Sequence, residues 1–251
     1  MQIAHLEELI ALEQTYWWHV TKRAIATDIL NRFCPSSCNL FEGGVGGGTN
    51  LMLWQNDGYI VSGCDLLKEA VEHCHSIGLK GVYLQDLRDE WKEPPASKDV
   101  VILLDVLEHV EDPVRVLKQA SKVLKHNGII IINVPALPWL FGPWDEILGH
   151  HRRYSLALLH AHAHKAGLEI IWRSHWNLFA LPIAIITRLG EKISRKRKSA
   201  EFPRVNSTIN RILIYCGKIE RGVMRLLPIP IGLSLVAVLR QKEIHHETGL
   251  S

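Results

Sequence analysis

The stretch Leu40-Phe41-Glu42-Gly43-Gly44-Val45-Gly46-Gly47-Gly48-Thr49 decides the fold. A short strand, Leu40-Phe41-Glu42, runs into glycines, and Thr49 to Gln55 opens a helix. Glycines between a strand and a helix let the backbone approach a ligand closely, at the carboxyl end of a parallel sheet. Tyr59 to Cys64 reads as a second strand, Lys68 to Ile77 as a helix stopped by Gly78, and Val82 to Leu84 as a third strand. Asp99 to Leu104 is a nearly continuous apolar run, the mark of a strand buried on both faces. Asp112-Pro113 begins a helix as N-cap and first position, and Asn127-Gly128 turns into the strand Ile129 to Val134. Ser155 caps a further helix, which Gly167 ends before the strand Leu168 to Trp172. This alternation predicts an α/β fold with a doubly wound, mostly parallel sheet.

The flanks differ. Residues 1–38 read as two helices joined by Tyr16-Trp17-Trp18-His19, the second spanning Thr21 to Phe33. Residues 39–175 hold the α/β core. Residues 176–232 form a basic helical insertion with apolar stretches Leu178 to Leu189 and Ile209 to Leu227, separated by Arg195-Lys196-Arg197-Lys198. Residues 233–251 add a last core strand, Ser234 to Leu239, and a tail. The whole reads as one domain.

Composition excludes several classes. The chain of 251 residues carries a net charge of only +3, too little to argue for nucleic acid. From Glu191 to Arg225, ten Lys or Arg against three Glu give +7, so the basic character is local. That insertion reads as a cap with a solvated charge run, as an amphipathic surface for lipid headgroups or a lipid-linked substrate, or as a nucleic-acid patch. The longest apolar run, Leu226 to Leu239, is interrupted by Pro228 and Pro230 and falls short of the roughly 20 residues a spanning helix needs. With no apolar leader at Met1, the expected location is the cytoplasm, with contact at the inner membrane face left open. The five cysteines lack a framework spacing. Neither Cys34-x3-Cys38 nor His73-Cys74-His75 makes a metal clamp, so reduced thiols and no metal are expected.

Glycine spacing separates the nucleotides. The dinucleotide pattern G-x-G-x-x-G, started at Gly44, meets Thr49 at its last place, which counts against a NAD-dependent oxidoreductase. The spacing that fits is acidic-x-Gly-x-Gly-x-Gly: Glu42, Gly44, Gly46 and Gly48. Asp65 ends the second strand, where a carboxylate can accept ribose hydroxyls. Asp86 follows the third strand, and Asp105-Val106-Leu107-Glu108-His109-Val110 follows the fourth.

In this order the motifs resemble those of the class I S-adenosylmethionine (SAM)-dependent methyltransferases. The segments Tyr16-Trp17-Trp18-His19, "LEHV" at 107–110 and Gly149-His150-His151-Arg152-Arg153-Tyr154 look like a bacterial subgroup related to the ubiquinone-type O-methyltransferases. The resemblance covers about residues 10–240. It implies a seven-stranded Rossmann-like sheet with SAM held by Glu42, Gly44, Gly46, Gly48, Asp65, Asp86 and Asp105. Val45 stands where that family often has cysteine, and Leu66-Leu67-Lys68 replaces its usual small and proline residues.

The reaction so implied is methyl transfer, most simply to an oxygen of a small or lipid-linked metabolite. RNA or protein acceptors, or SAM binding without catalysis, are the alternatives. A hydroxyl acceptor must lose a proton, and histidine suits that task near neutrality. His109, His150 and His151 are the main candidates, with His19 a further one. Arg152 and Arg153 could clamp an anionic group such as phosphate or carboxylate, or else form an interdomain ion pair. Tyr16 and Trp17, with Tyr154, are expected at the substrate, and Tyr16, Trp17 and Trp18 either close over the cofactor as a lid or anchor the N-terminal helix.

Overall fold

The computed structural model describes residues 3–34, 37–193 and 205–242. Seven strands form one sheet in the order β3-β2-β1-β4-β5-β7-β6. They are β1 (Asn39–Gly43), β2 (Ile60–Asp65), β3 (Val82–Leu84), β4 (Lys98–Leu104), β5 (Leu124–Pro135), β6 (Leu168–Trp176) and β7 (Ser234–Gln241). The first five are parallel, while β7 runs antiparallel between β5 and β6. The predicted seven-stranded, mostly parallel sheet is thus present, with a helical insertion before its last strand.

Among the described residues nine helices surround it: α1 (Ile3–Leu12), α2 (Trp17–Phe33), α3 (Thr49–Asn56), α4 (Lys68–Ser76), α5 (Pro113–Val123), α6 (Pro143–Ile147), α7 (Leu156–Lys165), α8 (Leu181–Ile193) and α9 (Ser207–Leu226). Their starts follow from local chemistry. Asp112 accepts the Arg115 N–H with Pro113 next in line, Ser155 accepts that of Leu158, and Asn206 that of Ile209. Two cores result, one on each face of the sheet. The first joins Ile25, Leu30, Leu51, Trp54, Ile102 and Trp176, and the second joins Phe41, Leu103, Leu107, Leu117, Ile132 and Leu159. Central strands buried on both sides explain why β4 reads as a continuous apolar run.

Three details depart from the sequence reading. Trp17, Trp18 and His19 form the first turn of α2 rather than a linker before it. The turn at Asn127, with φ of 66°, lies inside β5, which begins at Leu124. Cys34 and Cys38 are joined by a disulfide instead of standing as free thiols, because the end of α2 and the approach to β1 bring them together. Cys64, Cys74 and Cys216 are free.

The insertion is fixed to the core at specific points. Asn210 of α9 accepts the Trp17 N–H at 2.9 Å and donates to the Thr15 carbonyl at 2.8 Å, so it caps α2 from outside. Buried Glu220 accepts the N–H groups of Asn177 and Leu178, each at 2.7 Å. Arg221 and Arg225 both pair with Asp28 of α2 at 2.7 Å. Arg195–Lys198, the most basic part of the insertion, lies outside the described residues.

Candidate functional site

The carboxyl ends of β1, β2 and β4 meet at the glycine loop. Gly44, Gly46 and Gly48 have φ of 78°, 56° and 76°, the left-handed region where a side chain is strained. Space is closed as well: a Cβ on Gly46 would come within 2.8 Å of Leu9, and one on Gly44 within 3.0 Å of Val106. The second contact shows that the turn after β4 abuts the glycine loop.

Asp65, at the end of β2, is buried. One oxygen accepts the Gly46 N–H at 3.0 Å and the other that of Leu67 at 3.0 Å. Burial raises its pKa, and these backbone donors oppose the rise. Glu42 is also buried, and Asn50 of α3 donates to its Oε1 at 2.8 Å. Burial pushes this carboxyl up to about 8. Its Oε2 has no hydrogen-bond partner among the described residues. A buried acceptor of that kind beside a left-handed glycine cradle fits the amino-acid end of a ligand such as SAM. Asp86 is placed differently: the Arg88 guanidinium lies 2.9 Å from both of its oxygens through Nε, and this pairing depresses its pKa.

Asp105 has φ of 58°, a rare conformation for a residue with a side chain. Lys22 of α2 pairs with it at 2.6 Å, and Asn133 of β5 donates to its other oxygen. Burial opposes ionisation here, but Lys22 and these hydrogen bonds hold its pKa low. Asn133 in turn accepts from the Trp176 indole at 2.7 Å. His19 lies near the Lys22–Asp105 pair, and burial holds it down to about 3.

The single turn Leu107–His109 after β4 brings Glu108 inside and leaves His109 toward solvent. The His151 N–H donates to the Glu108 carbonyl at 2.7 Å, so the loop after β5 docks on this turn. His109 and His150 meet edge to face with ring centres 4.7 Å apart. Although His109 reaches solvent, the protein atoms packed around its ring desolvate it and, with the neighbouring His150, hold it down to about 4.

Two expected substrate residues have internal partners. Arg153 donates to Asp145 at 2.8 Å and to the Ala136 carbonyl at 3.2 Å. Arg188 and His150 reach the same fully buried Asp145 at 2.8 Å and 3.0 Å, so Arg153 is taken up in a buried ion network, where the sequence reading offered an anion clamp or an interdomain pair. Tyr154 is fully buried, and its backbone joins the sheet edge at Ala136. Its ring therefore supports the loop from below instead of facing a substrate. Arg152 donates to the Glu111 carbonyl at 2.9 Å. Tyr16 and Trp17 are buried, with Trp17 against Phe179 at 5.7 Å and Trp18 against Trp176 at 4.9 Å. This packing anchors α2.

The sequence reading missed Glu13, Lys22, Asn133 and Asp145. Glu13, Lys22 and Asn133 act across the fold on partners far away in the chain, whereas Asp145 binds Gly142, His150 and Arg153 nearby as well as distant Arg188.

Residues 41–132 match a family model described as "Methyltransferase domain". The ubiquinone biosynthesis O-methyltransferase of Vibrio atlanticus is 34% identical over 95 residues, 36% of this chain and 40% of that protein. Residues 41–132 thus match a methyltransferase domain, and this match and the relatives support a class I SAM-dependent methyltransferase. The chain thus spans about two fifths of the length of the curated relatives it matches. Solved structures agree on the fold. A chain from the complex between the Haloferax volcanii Trm112 methyltransferase activator and a methyltransferase superposes with a TM-score of 0.65 at 19% identity, covering 97% of this chain and 96% of that one. A SAM-dependent methyltransferase from Thermotoga maritima gives 0.60 at 14% identity and 96% coverage of both. SAM is the cofactor of this domain class.

Proposed function

We propose that this methyltransferase transfers the SAM methyl group to an oxygen of a small or lipid-linked acceptor. The observation that carries the reading is the cradle of Gly44, Gly46 and Gly48, closed on either side by buried Glu42 and Asp65. Bound there, SAM supplies a methyl already activated by its sulfonium. The chain's own part is then mainly alignment. Glu42 receives the ligand's amino group, Asp65 with the loop N–H groups its ribose, and Asp105 holds the turn after β4 beside the methyl. Asp86 borders the adenine.

The acceptor enters at Glu108, His109 and His150, where the loop after β5 meets β4. His150, oriented by Asp145 at 3.0 Å, is the histidine best prepared to hold a proton from a hydroxyl. His109, held down to about 4, is neutral at pH 7 and can accept a hydrogen bond. His151 and Arg152 line the approach.

The insertion supports a lipid-linked acceptor. Ile212, Tyr215, Ile219, Val223 and Leu226 are all exposed, and at helical spacing they form one apolar stripe along α9. Ile183 and Ile186 of α8 are exposed too. An apolar stripe in a segment of net charge +7 suits the surface of an anionic bilayer. Among the described residues no helix is long and apolar enough to cross one. The test is incubation with methyl-labelled SAM and polyprenylated or simple phenols. Label in the phenol fraction supports the reading, and label absent from every hydroxyl acceptor while appearing in amines or RNA would overturn it.

A further inference from the structure

Helices α2 and α9 pack together beside β6, and a cavity of about 360 Å³ lies between the three. Its inner wall is apolar, built from Ile29, Trp172 and Met224 with Phe33 at the end of α2. Its charged residues are Arg32 of α2, Arg221 and Arg225 of α9, and one acid, Asp28. Three guanidinium groups against one carboxylate leave a net +2 around the opening. Asp28 is shared between Arg221 and Arg225, each at 2.7 Å. Arg32 rests over the Phe33 ring at 5.2 Å and has no carboxylate partner among the described residues. Each guanidinium carries five N–H donors, so one carboxylate cannot satisfy the set. Pinning α9 to α2 takes one arginine, and two more converge on the same cavity.

We propose that this cavity binds an organic anion with a phosphate head on an apolar body. Phosphate oxygens match the planar forks of Arg32, Arg221 and Arg225, and the head neutralises the charge that Asp28 leaves over. Ile29, Trp172 and Met224 receive the body and remove it from water. The volume lies in the range of small-molecule sites, about 300–1,000 Å³. Such a ligand spans α2 and α9, so it holds the insertion to the core and stabilises the folded chain by mass action.

The cavity is separate from the glycine cradle. Lys22 carries α2 to Asp105, and Arg32 stands ten residues further on, about 15 Å along the helix axis. It is separate from the exposed stripe of α9 as well, since Ile219 and Leu226 do not line it. The site therefore stands whether or not the methyltransferase reading holds. A head and body of this kind occur in a free alkyl or prenyl phosphate and in a bilayer phospholipid, and the test separates the two sources.

The test is calorimetric titration of the full chain with octyl phosphate, beside inorganic phosphate as head alone and octyl glucoside as apolar body alone. One equivalent of octyl phosphate should bind, and both controls should bind about tenfold more weakly or worse. R32Q and the double variant R221Q/R225Q should each weaken it about tenfold, the worth of a charge-assisted hydrogen bond. D28N should tighten it about two- to fivefold, because it frees two guanidinium groups and removes a like charge. A merely structural ion bridge predicts the opposite sign for D28N. I219D/L226D, on the stripe, should bind octyl phosphate as wild type does. Sedimentation with phosphatidylglycerol vesicles identifies the source: a drop in R32Q points to a bilayer lipid, and no change beside weakened octyl phosphate binding points to a free phosphate. No saturable binding by wild type would overturn the proposal. So would equal affinity in wild type, R32Q and R221Q/R225Q, weaker binding in D28N, or a control that binds as tightly as octyl phosphate. Arg32 is exposed, so R32Q keeps the question open to test should the double variant fail to fold.

Discussion

Glu13 Oε1 accepts the Gly47 N–H at 3.0 Å, and its Oε2 accepts the Thr49 N–H at 3.3 Å. A carboxylate from the end of α1 therefore lies on backbone donors at the start of α3, where helix and loop favour an anion. A cofactor carboxylate using the same donors competes with Glu13. Glu13→Ala should tighten SAM binding by about two- to fivefold or more, since a carboxylate at a helix start contributes about 0.3–1 kcal/mol at the surface and more when buried, as Glu13 is. The same change should cost about 0.5–2 kcal/mol of folding stability through the lost cap. Calorimetry and urea unfolding measure the two effects, and weaker SAM binding would mean that Glu13 assists the cofactor.

Gly46→Leu should abolish SAM binding, because φ of 56° strains any side chain and Leu9 already fills the space. Asp65→Ala should weaken binding by roughly 1–3 kcal/mol, the usual loss for a buried or charged hydrogen bond. Since Asp65 also holds the Gly46 N–H, part of that loss comes through the loop. Unchanged affinity in both variants would place the cofactor elsewhere.

Glu42 gives the protein a pH dependence with a definite sign. Burial raises its carboxyl from 4.5 to about 8 in the folded state. Between those values the folded chain keeps a proton that the unfolded chain releases, so this residue makes stability fall as pH rises through the window. Glu42→Gln removes the slope. Urea unfolding at pH 5 and pH 8 should show the variant gaining on wild type at the higher pH, with Glu108, also raised by burial, contributing equally to both proteins.

The exposed stripe of α9 predicts a surface effect without a folding effect. Ile219→Asp with Leu226→Asp changes residues that are 54% and 83% exposed, so thermal stability should hold within about 0.5 kcal/mol. Sedimentation with vesicles containing anionic lipid should fall several-fold. Equal sedimentation of variant and wild type would remove the membrane surface from the account.

Much of the fold was legible because its signals are local. Asp112-Pro113, Ser155 and the glycines after β1 each announce an element boundary through their own backbone chemistry. The acids proposed to hold the cofactor stood out because each lies at, or within two residues past, the carboxyl end of a strand. What the sequence hid is what the topology assembles. Glu13 reaches the glycine loop only because α1 folds across it, and Asp145, already paired with His150 and Arg153 of its own loop, gains Arg188 only when α8 comes alongside. Arg152-Arg153-Tyr154 illustrates the limit: a polar loop beside a pocket suggested substrate contacts, yet the chain uses Arg153 and Tyr154 to hold the loop itself. The disulfide between Cys34 and Cys38 was hidden for a similar reason, since its spacing has no meaning until the end of α2 is fixed.

The most direct test is calorimetric titration of the full chain with SAM, S-adenosylhomocysteine and NAD. The glycine cradle, with Glu42 and Asp65, predicts one equivalent of SAM and of S-adenosylhomocysteine, and no saturable NAD binding. Tight NAD binding without SAM binding would contradict it.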